Sequence, residues 1–275
     1  MQKEVFCAPM RFIADEPGKP PLLLVHGFLS SRHHWWLNEP ALRSRYRLII
    51  AELPGHGATP PCHDPEHLTP DALADCIEAA RRRLGIQRWH VCGQSLGAGI
   101  TLRYALRHPH GVAAVAWTNS NRIVLDPLNA EQLASLDQRA QELENGGHAA
   151  LRRERVYPGK ARYFPERMRE LLGRDADGVD LRTMIELLRS SLPRISLRDC
   201  FGKLPMPVLL INGRLERGFQ PVRDLVAQLL PSMKIVDLDG GHSINIEQAE
   251  AFNASLLEFL SQHDQLIRQA AQVSA

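Results

Sequence analysis

The order of apolar and amphipathic segments predicts an α/β fold: a mostly parallel central sheet flanked by helices, interrupted by a helical insertion. Three observations carry this. Short apolar runs alternate with helix-period segments through about residue 119; the alternation stops between about Ser120 and Lys203; and it resumes at Pro207. The runs are continuously apolar, as strands covered on both faces must be.

In order along the chain, the strands are expected at Leu22–Val25, Arg47–Ala51, Trp89–Cys92, Val112–Trp117, Val208–Ile211 and Lys234–Leu238. Val5–Cys7 and Arg11–Ile13 suit an antiparallel edge. Thr69-Pro70-Asp71 starts a helix with a hydroxyl cap, a proline at the first position and an acid in the first turn; it runs to Leu84 and ends at Gly85. A second helix runs from Ser95 to about Arg107, stopped by Pro109, and a last one spans roughly Glu247–Leu260. Between them, residues 120–203 carry helical patterns at Ala130–Leu143, Glu166–Leu172 and Leu181–Leu188 without a convincing strand. This reads as a helical cap inserted into a core made of residues 1–119 and 204–275, rather than as a second tandem domain.

Bulk composition narrows the function classes. The 275 residues are 44% apolar and 23% charged with a net charge of +2, so no polyanion partner is implied, and no nucleic-acid motif accompanies the basic residues. No apolar run reaches the roughly 20 residues a spanning helix needs. Met1–Pro9 lacks the apolar core of a secretory signal. Five scattered cysteines (Cys7, Cys62, Cys76, Cys92, Cys200) form no C-x-x-C pair, which predicts reduced thiols, no zinc site and a cytoplasmic location.

Chemistry concentrates at Gly93-Gln94-Ser95-Leu96-Gly97, a G-x-S-x-G sequence lying between an apolar strand and an uninterrupted helix. The bare motif occurs by chance in about one chain in ten of this length, so the strand–turn–helix context decides its meaning. A serine on that sharp turn lifts its hydroxyl clear of the sheet. Side chains two residues either side would collide with the neighbouring strand and helix.

With three further segments, this elbow resembles the α/β-hydrolase superfamily, and the resemblance covers nearly the whole chain outside the insertion. Leu22-Leu23-Leu24-Val25-His26-Gly27-Phe28 is similar to the segment supplying an oxyanion donor. Glu52-Leu53-Pro54-Gly55-His56-Gly57 is similar to the D-x-P-G-x-G turn, with Glu for the usual Asp, and Gly240-Gly241-His242-Ser243 to the turn carrying the catalytic histidine. The resemblance implies Ser95 as nucleophile, His242 as base, and backbone N–H groups of Phe28 and Leu96 as the oxyanion hole. It places the acid three residues after Gly213, where this chain has Glu216. Rival carboxylates fit less well. After the Val112–Trp117 strand come Asn119 and Asn121, with Asp126 too far along, and Asp239 lies three residues before the histidine. The competing account of Glu216 is a loop residue paired with Arg214 or Arg217.

The implied activity is cleavage of a small or medium ester, thioester or lactone through an acyl-enzyme, on a small-molecule acyl substrate and with no metal or organic cofactor. The same scaffold also supports a menaquinone-pathway-type lyase, for which Arg122, Arg139 and other arginines of the cap are candidate carboxylate binders, a C–C bond hydrolase, and a non-catalytic ligand receptor. Ser95 stands where haloalkane dehalogenases carry Asp. His63 and His67, near Cys62 and Asp64, have loosely metal-like spacing but read better as a solvated loop, and Trp35 and Trp36 read equally as core or pocket wall.

Overall fold

A computed structural model describes residues 2–273. Among these residues eight strands build one sheet: β1 (Lys3–Cys7), β2 (Met10–Ala14), β3 (Pro21–Val25), β4 (Arg47–Glu52), β5 (Trp89–Gly93), β6 (Val112–Thr118), β7 (Val208–Gly213) and β8 (Lys234–Leu238). Their spatial order is β1-β2-β4-β3-β5-β6-β7-β8. The pairs β1–β2 and β2–β4 are antiparallel, and every other pair is parallel. The chain thus starts with an antiparallel edge and winds the remaining sheet outward from β3 in both directions. Ligand sites in such sheets lie at the carboxyl ends of the strands, beside the point where the order reverses; here that point separates β3 from β5.

The apolar runs are continuous because each strand serves two cores. Leu22, Leu24, Ile50, Cys92 and Leu209 face one layer, packed with Leu42 of α1 (Glu39–Arg45) and with Phe252, Leu256 and Phe259. Leu23, Val25, Ile49, Val91 and Leu210 face the other, against α2 (Pro70–Arg83) and α3 (Leu96–Arg107). The Thr69 hydroxyl accepts from the Ala72 N–H at 3.2 Å, which fixes the start of α2. β8 departs from the expected pattern, being only half-buried. It is an edge strand, and its Asp237 binds Arg223 and Asn212 instead of contributing to a core.

Between β6 and β7 lie α4 (Ala130–Leu151), α5 (Glu166–Asp177) and α6 (Leu181–Ser190), the helices of the insertion. A reciprocal capping box between Asn129 and Gln132 starts α4, and Gly147 at φ +57° kinks it. Polar struts hold these helices to the core. The Asp180 N–H donates to Gly55 O at 2.9 Å, the Cys62 N–H to Thr183 Oγ1 at 3.1 Å, and His63 pairs with Asp180 at 2.9 Å. The His63 loop therefore serves as a brace. On the far side, α5 presents Asp175 to the Ser31 hydroxyl at 2.6 Å and to the His33 ring at 2.8 Å. After β7 follow α7 (Gln220–Leu229), and after β8 come α8 (Ile244–Glu247), α9 (Ala249–Ser261) and α10 (Asp264–Val273).

Candidate active site

The elbow explains its own residues. Ser95 sits at φ 54°, ψ −115°, a region costing about 1–3 kcal/mol for a non-glycine residue. A Cβ on Gly93 would lie 2.3 Å from Thr101 Oγ1, and one on Gly97 would lie 2.4 Å from the Val25 carbonyl oxygen. Both positions therefore need glycine for β3, β5 and α3 to converge. Ser95 makes no side-chain cap on α3, so its hydroxyl remains available for another partner.

That partner is His242. Its Nε2 accepts from Ser95 Oγ at 2.9 Å, while its Nδ1 donates to Glu216 Oε2 at 2.9 Å and Oε1 at 3.1 Å. The three side chains come from turns after β5, β7 and β8, at the carboxyl edge of the sheet. A carboxylate facing Nδ1 holds the proton on that nitrogen and leaves Nε2 as the acceptor. The loop-residue account of Glu216 does not hold here: among the described residues it pairs with neither Arg217 nor Arg214, which pairs with Asp239 instead. Asp126 is exposed and pairs with Arg198.

Glu216 is further held by two residues that sequence reasoning met only as occupants of a rival position. Asn119 Nδ2 donates to Oε2 at 2.8 Å, and Asn121 Nδ2 to Oε1 at 2.8 Å. Asn119 also exchanges both amide hydrogen bonds with the Gly213 backbone, at 3.0 and 3.1 Å, and so ties the end of β6 to the end of β7. Burial disfavours the charge on Glu216, but donors from His242, Asn121 and Asn119 outweigh it and hold the carboxyl down at about 2. The available signal was two asparagines at the end of the strand adjoining the one that carries the acid.

The segment after β3 is strained as well. Leu29 and Ser95 are the two non-glycine residues with positive φ among the described residues, and they lie immediately beside Phe28 and Leu96. Two buried histidines hold that geometry. His56 Nε2 accepts from the Leu29 N–H at 3.2 Å and its Nδ1 donates to Pro54 O at 2.9 Å. His26 Nε2 accepts from the Leu53 N–H at 3.1 Å and its Nδ1 donates to Gly27 O at 2.8 Å. Burial pushes both imidazoles down to about 3, so they work as neutral braces between the two motif turns. Glu52, the replacement for the usual Asp, accepts from the Ala58 N–H at 3.1 Å and the Arg32 N–H at 3.3 Å, closing the same turn. Leu96 opens α3, so its N–H has no acceptor one turn earlier within the helix. Among the described residues the Phe28 N–H has no acceptor either.

Ser95 and His242 open onto a cavity of about 270 Å³, near the low end of the roughly 300–1,000 Å³ of small-molecule sites. Its core wall includes Phe28, Leu29, His34 and Gln94; its other wall is the insertion segment 155–164. Neither tryptophan lines it. Trp35 is fully buried beside Phe252, and Trp36 lies under the Arg167 guanidinium at 4.9 Å. Arg122 and Arg139 lie elsewhere too, Arg139 being paired with Glu154. Glu247 reaches the cavity wall, but its carboxylate accepts from the Gly241 N–H at 2.6 Å and the Ser243 N–H at 3.2 Å, bracing the His242 turn.

Comparison with known proteins agrees with this architecture. The α/β hydrolase fold family matches residues 20–249. A dihydrolipoyllysine-residue acetyltransferase component of an acetoin cleaving system from Pseudomonas putida is 28% identical over 258 residues, covering 90% of this chain; the chain spans 65% of that relative's length. Two solved structures share the fold: the enol-lactonase of Burkholderia xenovorans (TM-score 0.74, 23% identity, 94% of this chain and 100% of that one) and the carboxylesterase CesB of Bacillus subtilis (TM-score 0.75, 22% identity, 94% and 91%). With the family matched across most of its length and the elbow, sheet and turns in their expected places, the chain belongs to the α/β hydrolase fold family.

Proposed function

We propose that this hydrolase-family protein is a serine hydrolase that cleaves a small or medium carboxylic ester, thioester or lactone through an acyl-enzyme. The observation that carries the reading is His242 at 2.9 Å from both Ser95 Oγ and Glu216 Oε2. Ser95 Oγ attacks the carbonyl carbon as its proton passes to Nε2 of His242, and Glu216 stabilises the imidazolium through Nδ1. The oxyanion falls between the N–H groups of Phe28 and Leu96, where one donor contributes roughly 3–4 kcal/mol to the transition state. Collapse expels the alcohol or thiol, which takes the proton from Nε2; water then enters, gives its proton to His242 and releases the acid. The sequence needs no metal or organic cofactor. Residues 120–203 act as a cap that limits substrate size, and the activities named for the similar lactonase and carboxylesterase support the same class of bond.

The test is turnover of p-nitrophenyl esters from acetate to octanoate by the wild type and Ser95→Ala. The expected loss in the variant is about 10⁴–10⁶-fold in kcat, with a chain-length optimum set by the cavity. Equal rates in the two proteins would overturn the reading, and saturable ligand binding without turnover would make the protein a receptor.

A further inference from the structure

The charges lining the cavity do not balance. Its carboxylates are Glu216 and Glu247, and both are spent: the first on His242 and two asparagines, the second on the backbone of the His242 turn. Facing them are three cations, Arg155, Lys160 and Arg162. Among the described residues none of the three has an ion-pair or side-chain hydrogen-bond partner.

Nor are the three cations on a loose loop. Tyr157 and Pro158 are buried between Arg155 and Lys160, and Phe164 is buried just after Arg162. The Tyr157 hydroxyl donates to Asp177 Oδ1 at 2.9 Å, which ties the segment to α5. These buried anchors fix the path of the stretch that carries the three exposed cations along the cavity of Ser95. Like charges gathered without a counter-ion repel one another, and a bound anion removes that cost.

We propose that the substrate carries, besides its scissile carbonyl, an ionised carboxylate that Arg155, Lys160 and Arg162 receive. This rests on Ser95 being the nucleophile of the same cavity. The substrate class is then the half-ester, or the carboxylate-bearing lactone, of a short dicarboxylic acid, with the carboxylate at the three cations and the ester at the elbow.

A matched pair of substrates tests this: mono-p-nitrophenyl adipate, which ends in a carboxylate, and p-nitrophenyl hexanoate, which ends in a methyl group. The expected kcat/KM ratio is at least about tenfold in favour of the adipate at low salt. It should shrink towards one in 0.5 M NaCl, as the screening length shortens. In the triple variant Arg155→Gln/Lys160→Gln/Arg162→Gln the ratio collapses to within about twofold of one, with each single variant losing part of it. Calorimetric titration with free adipate reads the same site without turnover: the wild type binds it and the triple variant does not. Should the triple variant fail to fold, the single variants give the comparison. Equal turnover of the two esters with no adipate binding overturns the proposal and leaves the hydrolase reading standing. Adipate binding lost in the variants, with neither ester turned over, sinks the hydrolase reading and upholds the anion site.

Discussion

The core and the insertion use charge in opposite ways. Around Ser95 the core engages its titratable groups: Glu216 takes four side-chain hydrogen bonds from three residues, and His26 and His56 are neutral braces with both ring nitrogens occupied. The insertion pairs some of its arginines at the surface, where such pairs contribute about 0–1 kcal/mol each, and leaves three cations unpaired along the cavity. A bond-breaking apparatus needs positions fixed within a fraction of an ångström, whereas recognition of a distal group needs a complementary charge that awaits its partner. On the proposed function, the comparison predicts that the core carries rate and the insertion carries substrate choice.

The strongest way to break this division is at Glu216. Glu216→Gln presents an amide where Nδ1 needs an acceptor, and kcat is expected to fall about 10³–10⁴-fold with KM within a few-fold. The same variant tests the charge through stability. Glu216 has a folded-state value of about 2, below its ordinary 4.5, so its contribution is complete above about pH 4.5 and is lost as the pH falls through 2. The Tm gap between wild type and variant should be widest near neutrality and close between those limits. A gap independent of pH would show that the ionised carboxylate is not what the fold stabilises.

Next in size is the elbow itself. Gly97→Ala drives a methyl group against the Val25 and His26 carbonyl oxygens, at 2.4 and 2.5 Å, and neither backbone can retreat without opening β3. A loss of about 3 kcal/mol or more is expected in denaturant unfolding. A variant as stable as the wild type would show the strand–helix junction to be looser than its contacts imply.

Smaller effects belong to the residues that orient the acid. Asn119→Ala and Asn121→Ala each remove one donor from Glu216 and should lower kcat about tenfold, with Asn119→Ala also costing about 1–2 kcal/mol of stability through its lost Gly213 bonds. Rates unchanged in both would mean that His242 alone positions the carboxylate.

The smallest expected effect sharpens the comparison at the seam. Asp175 on α5 receives Ser31 and His33 from the segment that follows Phe28. Burial works against its charge, yet the His33 and Ser31 hydrogen bonds hold it below the usual carboxylate range, so this link is complete above that range and is released as the pH falls through the lowered value. Asp175→Asn should raise KM about 2–5-fold, leave kcat within twofold and speed amide exchange in residues 166–177. A large drop in kcat would place the insertion in the chemistry rather than in selection.

The sheet was legible because each strand is a short, continuous apolar run. The elbow, the oxyanion segment and the histidine turn were legible because close backbone approach demands glycine at set spacings, a constraint local to a few consecutive residues. By itself, then, the sequence determined the α/β architecture and singled out Ser95, Glu216 and His242, whose side chains lie within hydrogen-bond reach of one another. Only the tertiary structure decided which residues hold Glu216 and which cations face Ser95. Arg122 and Arg139 were as eligible by composition as Arg155, Lys160 and Arg162, and the helices' packing over the sheet put the latter three at the cavity. A charge at the end of a long side chain leaves no periodic trace in sequence; its partner is set by the path of the backbone between buried anchors, and here those anchors are Tyr157, Pro158 and Phe164.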